Sequence, residues 1–188
     1  MTHAITLSPA EIGGIARRID RPVVLVGLMG VGKSTVGRRL SAMLETDFVD
    51  VDDEIERAAN RTISEIFESH GEAYFRDGER RVITRLMEED HGVIATGGGA
   101  FIDPETRSLI LERGIAVWLD CDVETLVERT SRRNDRPLLR KGNPREILTS
   151  LREQRSPAYA EAPIRVLTDN GPHTETLHRI LEAIDAWL

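Results

Sequence analysis

Cysteine is nearly absent from the 188-residue chain: Cys121 stands alone. That excludes a disulfide framework or a cysteine-based zinc site within one chain. Aromatic residues are 4% of the total, too few for base-stacking platforms. No apolar run approaches the roughly 20 residues that span a bilayer. Positive charge is in the minority, 25 Lys and Arg against 32 Asp and Glu, and the resulting net charge of −7 argues against a broad basic face for nucleic acid. Lysine is the scarcest charged residue, with 2 (Lys33 and Lys141) beside 23 Arg, so a lysine at any basic position is informative. What is present, 40% apolar and 30% charged residues, suits a folded globular protein. The length fits one α/β domain that buries about 70% of its unfolded surface. The expectation is a cytoplasmic protein.

Along the chain, short apolar runs alternate with helical periodicity. Ser8-Pro9-Ala10-Glu11 has the pattern of a helix start and predicts a short lead-in helix, with a frayed tail as the alternative. Residues 1–20 lack the long apolar core of a secretory signal. Strands are expected at Val23–Val26, Phe48–Val51, Val93–Ala95, Ile115–Leu119 and Ile164–Leu167. Helices are expected over 36–44, 52–59, from Thr62 to about Gly71, 72–87, 104–111, 123–130, 144–154 and 173–188. Five strands alternating with helices imply a doubly wound α/β domain, a parallel sheet covered on both faces.

Gly27-Leu28-Met29-Gly30-Val31-Gly32-Lys33-Ser34 matches the P-loop pattern, directly after a strand and opening a helix. Its glycines let successive backbone N–H groups point inward as an anion nest, and the helix adds its positive end. Gly30, Val31, Gly32, Lys33, Ser34 and Thr35 are therefore candidates for binding a nucleoside triphosphate, ATP in the first instance. Lys33 places a compact charge on the β- and γ-phosphates, and the Ser34 hydroxyl suits Mg²⁺.

Asp50, Asp52 and Asp53 stand at the carboxyl end of the second strand, where ligands lie in open α/β sheets. Asp50 and Asp52 share a side if the strand persists that far. One can hold Mg²⁺ through water while the other accepts a hydroxyl proton. Helix capping by Asp52 or Asp53 is the competing explanation. Gly97-Gly98-Gly99 after the third strand suits a ligand touching backbone, or simply a tight turn. Arg76, with Glu79 three residues on, suits an ion pair. Residues 131–143 are dense in arginine and lack an apolar period, as in a mobile lid over a triphosphate or a solvated basic loop.

Taken together, Gly27–Thr35, Asp50-Val51-Asp52, Phe75-Arg76, Gly97-Gly98-Gly99, Arg136-Pro137-Leu138-Leu139 and Arg155-Ser156-Pro157-Ala158-Tyr159 resemble the shikimate kinase family from about Pro22 to the C-terminus. The resemblance implies a P-loop, nucleoside-monophosphate-kinase-like three-layer fold with a five-stranded parallel sheet and a lid at about 131–143. Residues 1–20 are an extension outside the common core. The implied reaction is Mg²⁺-dependent transfer of the ATP γ-phosphoryl group to the 3-hydroxyl of shikimate. By the same likeness Lys33, Asp52 and Arg136 are catalytic, with Asp52 the base, and Arg136 reaches the ATP phosphates. Arg129 lies near the adenine, and Asp50 and Ser34 are on the Mg²⁺ side. Arg76 and Arg155 clamp the substrate carboxylate, Gly97, Gly98 and Gly99 contact the substrate, and Glu79 supports the substrate arginine. A monomer without nucleic-acid or membrane partners is implied.

The family resemblance does not account for the whole chain. The loop Thr168–Pro172, with Asn170, varies in such proteins, and a Walker B strand of the kind seen elsewhere is missing. Asp120-Cys121-Asp122 is not a safe substitute, and capping explains Asp122. The alternatives are a gluconate-type or nucleoside-monophosphate kinase, or a non-catalytic nucleotide-binding module. A guanine-reading switch is disfavoured, because neither lysine follows an asparagine.

Overall fold

A computed structural model describes residues 6–89, 92–132, 139 and 141–188. Five strands, β1 (Val23–Val26), β2 (Phe48–Asp50), β3 (Val93–Ala95), β4 (Ile115–Asp120) and β5 (Ile164–Leu167), form one parallel sheet in the order β2-β3-β1-β4-β5. Every residue of β1, β3 and β4 is buried, so these strands read as unbroken apolar runs rather than alternating ones, up to the closing Asp120 of β4. At the edge, β5 buries Ile164 and Val166 and exposes Arg165 and Leu167.

The intervening helices are α1 (Pro9–Arg18), α2 (Lys33–Met43), α3 (Val51–Ala59), α4 (Ile63–Glu88), α5 (Pro104–Arg113), α6 (Val123–Ser131), α7 (Pro144–Tyr159) and α8 (His173–Trp187). They make the three-layer arrangement that the residue pattern implies. Helix α2 packs on α8 and on β1 and β3, while α4 packs on α5, which reaches β4. Helix α1 forms behind a complete capping box between Ser8 and Glu11. It buries Ile15, the Leu7 N–H donates to His178 Nδ1 at 3.1 Å, and Arg18 pairs with Asp185. The lead-in is thus a helix tied to α8.

Two boundaries that matter for the site differ from expectation, at the ends of β2 and α7, while the expected break at Gly71 is present. Strand β2 ends at Asp50, not Val51, because Asp50 caps α3: its carboxylate accepts from the Asp52 N–H at 3.0 Å. Asp52 and Asp53, considered as caps, lie in the first helical turn instead. The two helices expected around Gly71 meet end to end there, where φ is 80° and ψ 179°, a conformation suited to glycine. Helix α7 runs on to Tyr159 instead of stopping at Gln154. Pro157 sits in its last turn and forfeits only its own N–H bond, and the Ala160 N–H still reaches the Ser156 carbonyl at 2.9 Å. The short 3₁₀ turn Ala100–Ile102 has no counterpart in the sequence reading. Of the expected lid, residues 133–138 and 140, Arg136 among them, lie outside the described residues.

Candidate active site

All five strands run parallel, so the loops after them share one edge of the sheet. The centre of that edge belongs to the loop after β1. Gly27, Gly30 and Gly32 adopt φ of 142°, 83° and 101°, values that L side chains rarely take. Gly32 is the N-cap of α2 and offers no side chain to the first turn, leaving its N–H groups for an anion. The buried Lys33 ammonium donates to the Gly27 and Leu28 carbonyls at 2.6 and 2.9 Å, which fixes its charge at the mouth of the loop.

The loop after β2 supplies the oxygen donors. Ser34 Oγ lies 2.5 Å from Asp50 Oδ2, while the other oxygen of Asp50 caps α3. This cap orients Asp50 toward the phosphate loop and places Asp52 in the first turn of the helix. Burial pushes the Asp52 carboxyl up to about 6; the Asp50 carboxylate adds to the rise and the Lys33 ammonium opposes it. Asp52 is therefore a carboxylate that ionises near neutrality, close to a fixed cation.

The loop after β3 explains its three glycines. A Cβ on Gly97 would stand 2.9 Å from Asp52 Oδ1 and 3.2 Å from Glu79 Oε2. One on Gly99 would fall 2.2 Å from an Arg76 guanidinium nitrogen. A side chain at either position would push those groups aside, so the bare backbone is what lets two carboxylates and a guanidinium gather over it as they do. Arg76 projects from α4 with its guanidinium carbon 5.1 Å from the centre of the Phe75 ring and donates to Glu79 Oε1 at 2.7 Å. Glu79 is wholly buried, and burial raises its carboxyl above the usual range against the pull of Arg76. The ion pair that the spacing suggests is real, and the same pair holds the guanidinium in place. From α7, Arg155 Nη1 donates to the Gly98 carbonyl at 3.0 Å. Both arginines thus meet the same three-residue loop.

On the opposite side of the phosphate loop, Arg129 of α6 donates to the Val31 carbonyl at 2.9 Å and to the Asp169 carbonyl. It ties the phosphate loop to the segment after β5, where Asn170 donates to Glu128 at 2.9 Å. Asp120 at the end of β4 is buried between Arg152 and Arg165, at 3.1 and 2.6 Å. Those ion pairs, like the capping of α6 by Asp122, leave the segment no evident metal role. Sequence reasoning gave no part to Arg152, Arg165 or Tyr159. The signal for Tyr159 was available, since it lies four residues after Arg155 on one helix.

Removing the Arg76 guanidinium has a definite expected outcome. Arg76→Ala should weaken binding of a carboxylate substrate by about 100-fold, the worth of a charge-assisted contact, and leave nucleotide affinity within about twofold. Titration calorimetry with each ligand separately checks this, and equal losses for both would remove Arg76 from the acceptor site. The variant also strands Glu79 in the core without its cation, so Arg76→Lys, which keeps the charge but not the fork, belongs in the same experiment.

Comparison with known proteins gives a consistent answer. A family model described as shikimate kinase matches residues 29–185. The protein named shikimate kinase in Novosphingobium aromaticivorans is 62% identical over 193 residues, covering 100% of both chains. The solved structure of shikimate kinase from Acinetobacter baumannii in complex with shikimate superposes with a TM-score of 0.84 at 41% identity, over 88% of this chain and 93% of that one. A gluconokinase from Sinorhizobium meliloti, at 16% identity and a TM-score of 0.58 over 90% of this chain and 94% of that one, shares the fold alone.

Proposed function

The chain belongs to the shikimate kinase family, and from that premise we propose that it moves the γ-phosphoryl group of ATP to the 3-hydroxyl of shikimate, forming 3-phosphoshikimate and ADP. The observation that carries this reading is the convergence of two guanidinium groups and two carboxylates on Gly97–Gly99, beside a phosphate loop at the same sheet edge. A nucleoside-monophosphate acceptor or a bound nucleotide without turnover would not call for that pairing of a carboxylate clamp with a near-neutral base.

In the proposed reaction, Arg76 and Arg155 take the shikimate carboxylate, and Asp52 orients the 3-hydroxyl. As the oxygen–phosphorus bond forms, Asp52 accepts the hydroxyl proton and the bond from the γ-phosphorus to the bridging oxygen breaks, releasing ADP. The backbone N–H groups of Gly30–Thr35 and the Lys33 ammonium stabilise charge on the β- and γ-phosphates. Arg129 borders the adenine side. Arg136, outside the described residues, is assigned to the phosphates on the family pattern alone.

A hydroxyl and a carboxylate 2.5 Å apart, Ser34 and Asp50, are hard oxygen donors of the kind that suit Mg²⁺. They would hold the ion, Asp50 through water, and when bound Mg²⁺ neutralises charge that develops between the β- and γ-phosphates. Among the described residues no helix is long and apolar enough to cross a membrane. The proposal extends to a monomer acting in the cytoplasm, and a single sedimenting species of 21.0 kDa tests the first part.

A coupled ADP-release assay across shikimate, quinate, gluconate and a nucleoside monophosphate tests the reading. Shikimate-dependent release well above the others is expected. Equal release with gluconate, or release only with the nucleotide acceptor, would overturn it.

A further inference from the structure

The Gly98 carbonyl accepts two hydrogen bonds, one from Arg155 Nη1 at 3.0 Å and one from the Tyr159 hydroxyl. A carbonyl oxygen has two lone pairs, and here both are used. The two donors stand four residues apart on α7 and so share one helix face. Tyr159 is 1% exposed, and its ring packs against Trp118 of β4 at 5.9 Å and Phe101 at 6.5 Å. Phe101 belongs to the 3₁₀ turn that directly follows the triple glycine. The ring therefore braces the far end of the glycine loop while the hydroxyl grips its middle.

We propose that Tyr159 is a positioning residue for the carboxylate clamp: its hydroxyl holds the Gly98 carbonyl so that Arg155 can turn an N–H from that carbonyl to the substrate carboxylate. The inference rests on the reading of Arg155 as a carboxylate ligand. The physical point is an exchange of partners. The Gly98 carbonyl is half-buried, and a carbonyl partly withdrawn from water that loses its donors is costly. With Tyr159 in place, Gly98 keeps one donor after Arg155 moves, and the backbone that floors the substrate site does not shift. Without the hydroxyl, Arg155 becomes the sole donor to that carbonyl and is held back from the substrate. The Tyr159 hydroxyl bonds the substrate-side Gly98 carbonyl, so the shikimate side is expected to respond more strongly than the nucleotide side.

The test is Tyr159→Phe, which preserves the ring and removes only the hydroxyl. The KM for shikimate should rise about fivefold, roughly one neutral hydrogen bond, while the KM for ATP and kcat stay within about twofold. A general packing defect would move both KM values or kcat together, and that result, or an unchanged KM for shikimate, overturns the inference. Should Tyr159→Phe not fold, 3-fluorotyrosine labelling of the wild-type chain replaces it. The chain has 2 tyrosines, so Tyr74→Phe assigns the fluorine signals. The Tyr159 signal should shift on adding shikimate and not on adding ADP, and a signal indifferent to shikimate is contrary to the proposal. A wild-type chain that releases no ADP with shikimate overturns the substrate reading itself. A wild-type chain that turns over shikimate but whose KM ignores Tyr159→Phe overturns this inference alone.

Discussion

Asp52→Asn is expected to lower kcat by about 10³-fold and to make the protein more heat-stable at the same time. The first effect follows from chemistry: the amide is nearly isosteric but takes no proton from the 3-hydroxyl. The second follows from burial. Ionising Asp52 in the fold is unfavourable, which is why its carboxyl rises from 3.8 to about 6. A folded value above the unfolded one contributes stability that is present below about pH 4 and lost as pH rises through about 6. At pH 8 the wild-type chain therefore carries a charge that weakens it by about 3 kcal/mol, and asparagine removes that charge. Melting curves should show Tm raised by about 8 °C at pH 8 and little changed at pH 3.5. For the wild type, kcat/KM for shikimate should climb as pH rises through about 6, since only the carboxylate is a base. A profile flat from pH 5 to 8, or an Asn variant that melts lower at pH 8, would show that Asp52 is not the buried base described above.

The parts of this site that the sequence revealed were those whose chemistry is local. The phosphate loop is a run of eight residues between a strand and a helix, and its glycines and its rare lysine are determined by backbone geometry and charge within that run. Val23–Val26 was recognisable because a strand buried on both faces is apolar at every position. Asp50 was harder. Its role as the cap of α3 depends on where β2 stops, and a strand of three residues gives little periodicity from which to place that end. The triple glycine was ambiguous because what excludes a side chain there comes from elsewhere in the chain: Asp52 and Glu79 at Gly97, Arg76 at Gly99. The helix expected over 144–154 leaves Arg155 just outside it, because Pro157 suggests a stop, whereas α7 runs through Pro157 to Tyr159. Tyr159 stayed without a role for the same reason. Its partner, Gly98, is distant in sequence, and only the fold brings them together.

Lys33→Ala is expected to cost about 10³-fold in kcat, or about 4 kcal/mol of transition-state stabilisation, by removing the cation beside the transferred group. Lys33→Arg is expected to fail nearly as badly, although it keeps the charge. Lys33 is 8% exposed, and its ammonium lies within 2.6 and 2.9 Å of two successive carbonyls. A planar guanidinium is larger and donates in a fixed fork, so it cannot take that position without displacing the loop. The composition makes the same argument, since a chain with 23 Arg has a lysine here, where a compact point charge is required. Loss of the ammonium also removes the charge that restrains the Asp52 carboxyl, so the acidic limb of the pH profile should move upward in Lys33→Ala. Steady-state kinetics over pH 5 to 9, with nucleotide binding by calorimetry, separates these effects. An alanine variant with the wild-type kcat, or an arginine variant that restores it, would mean that the lysine only fills space in the loop.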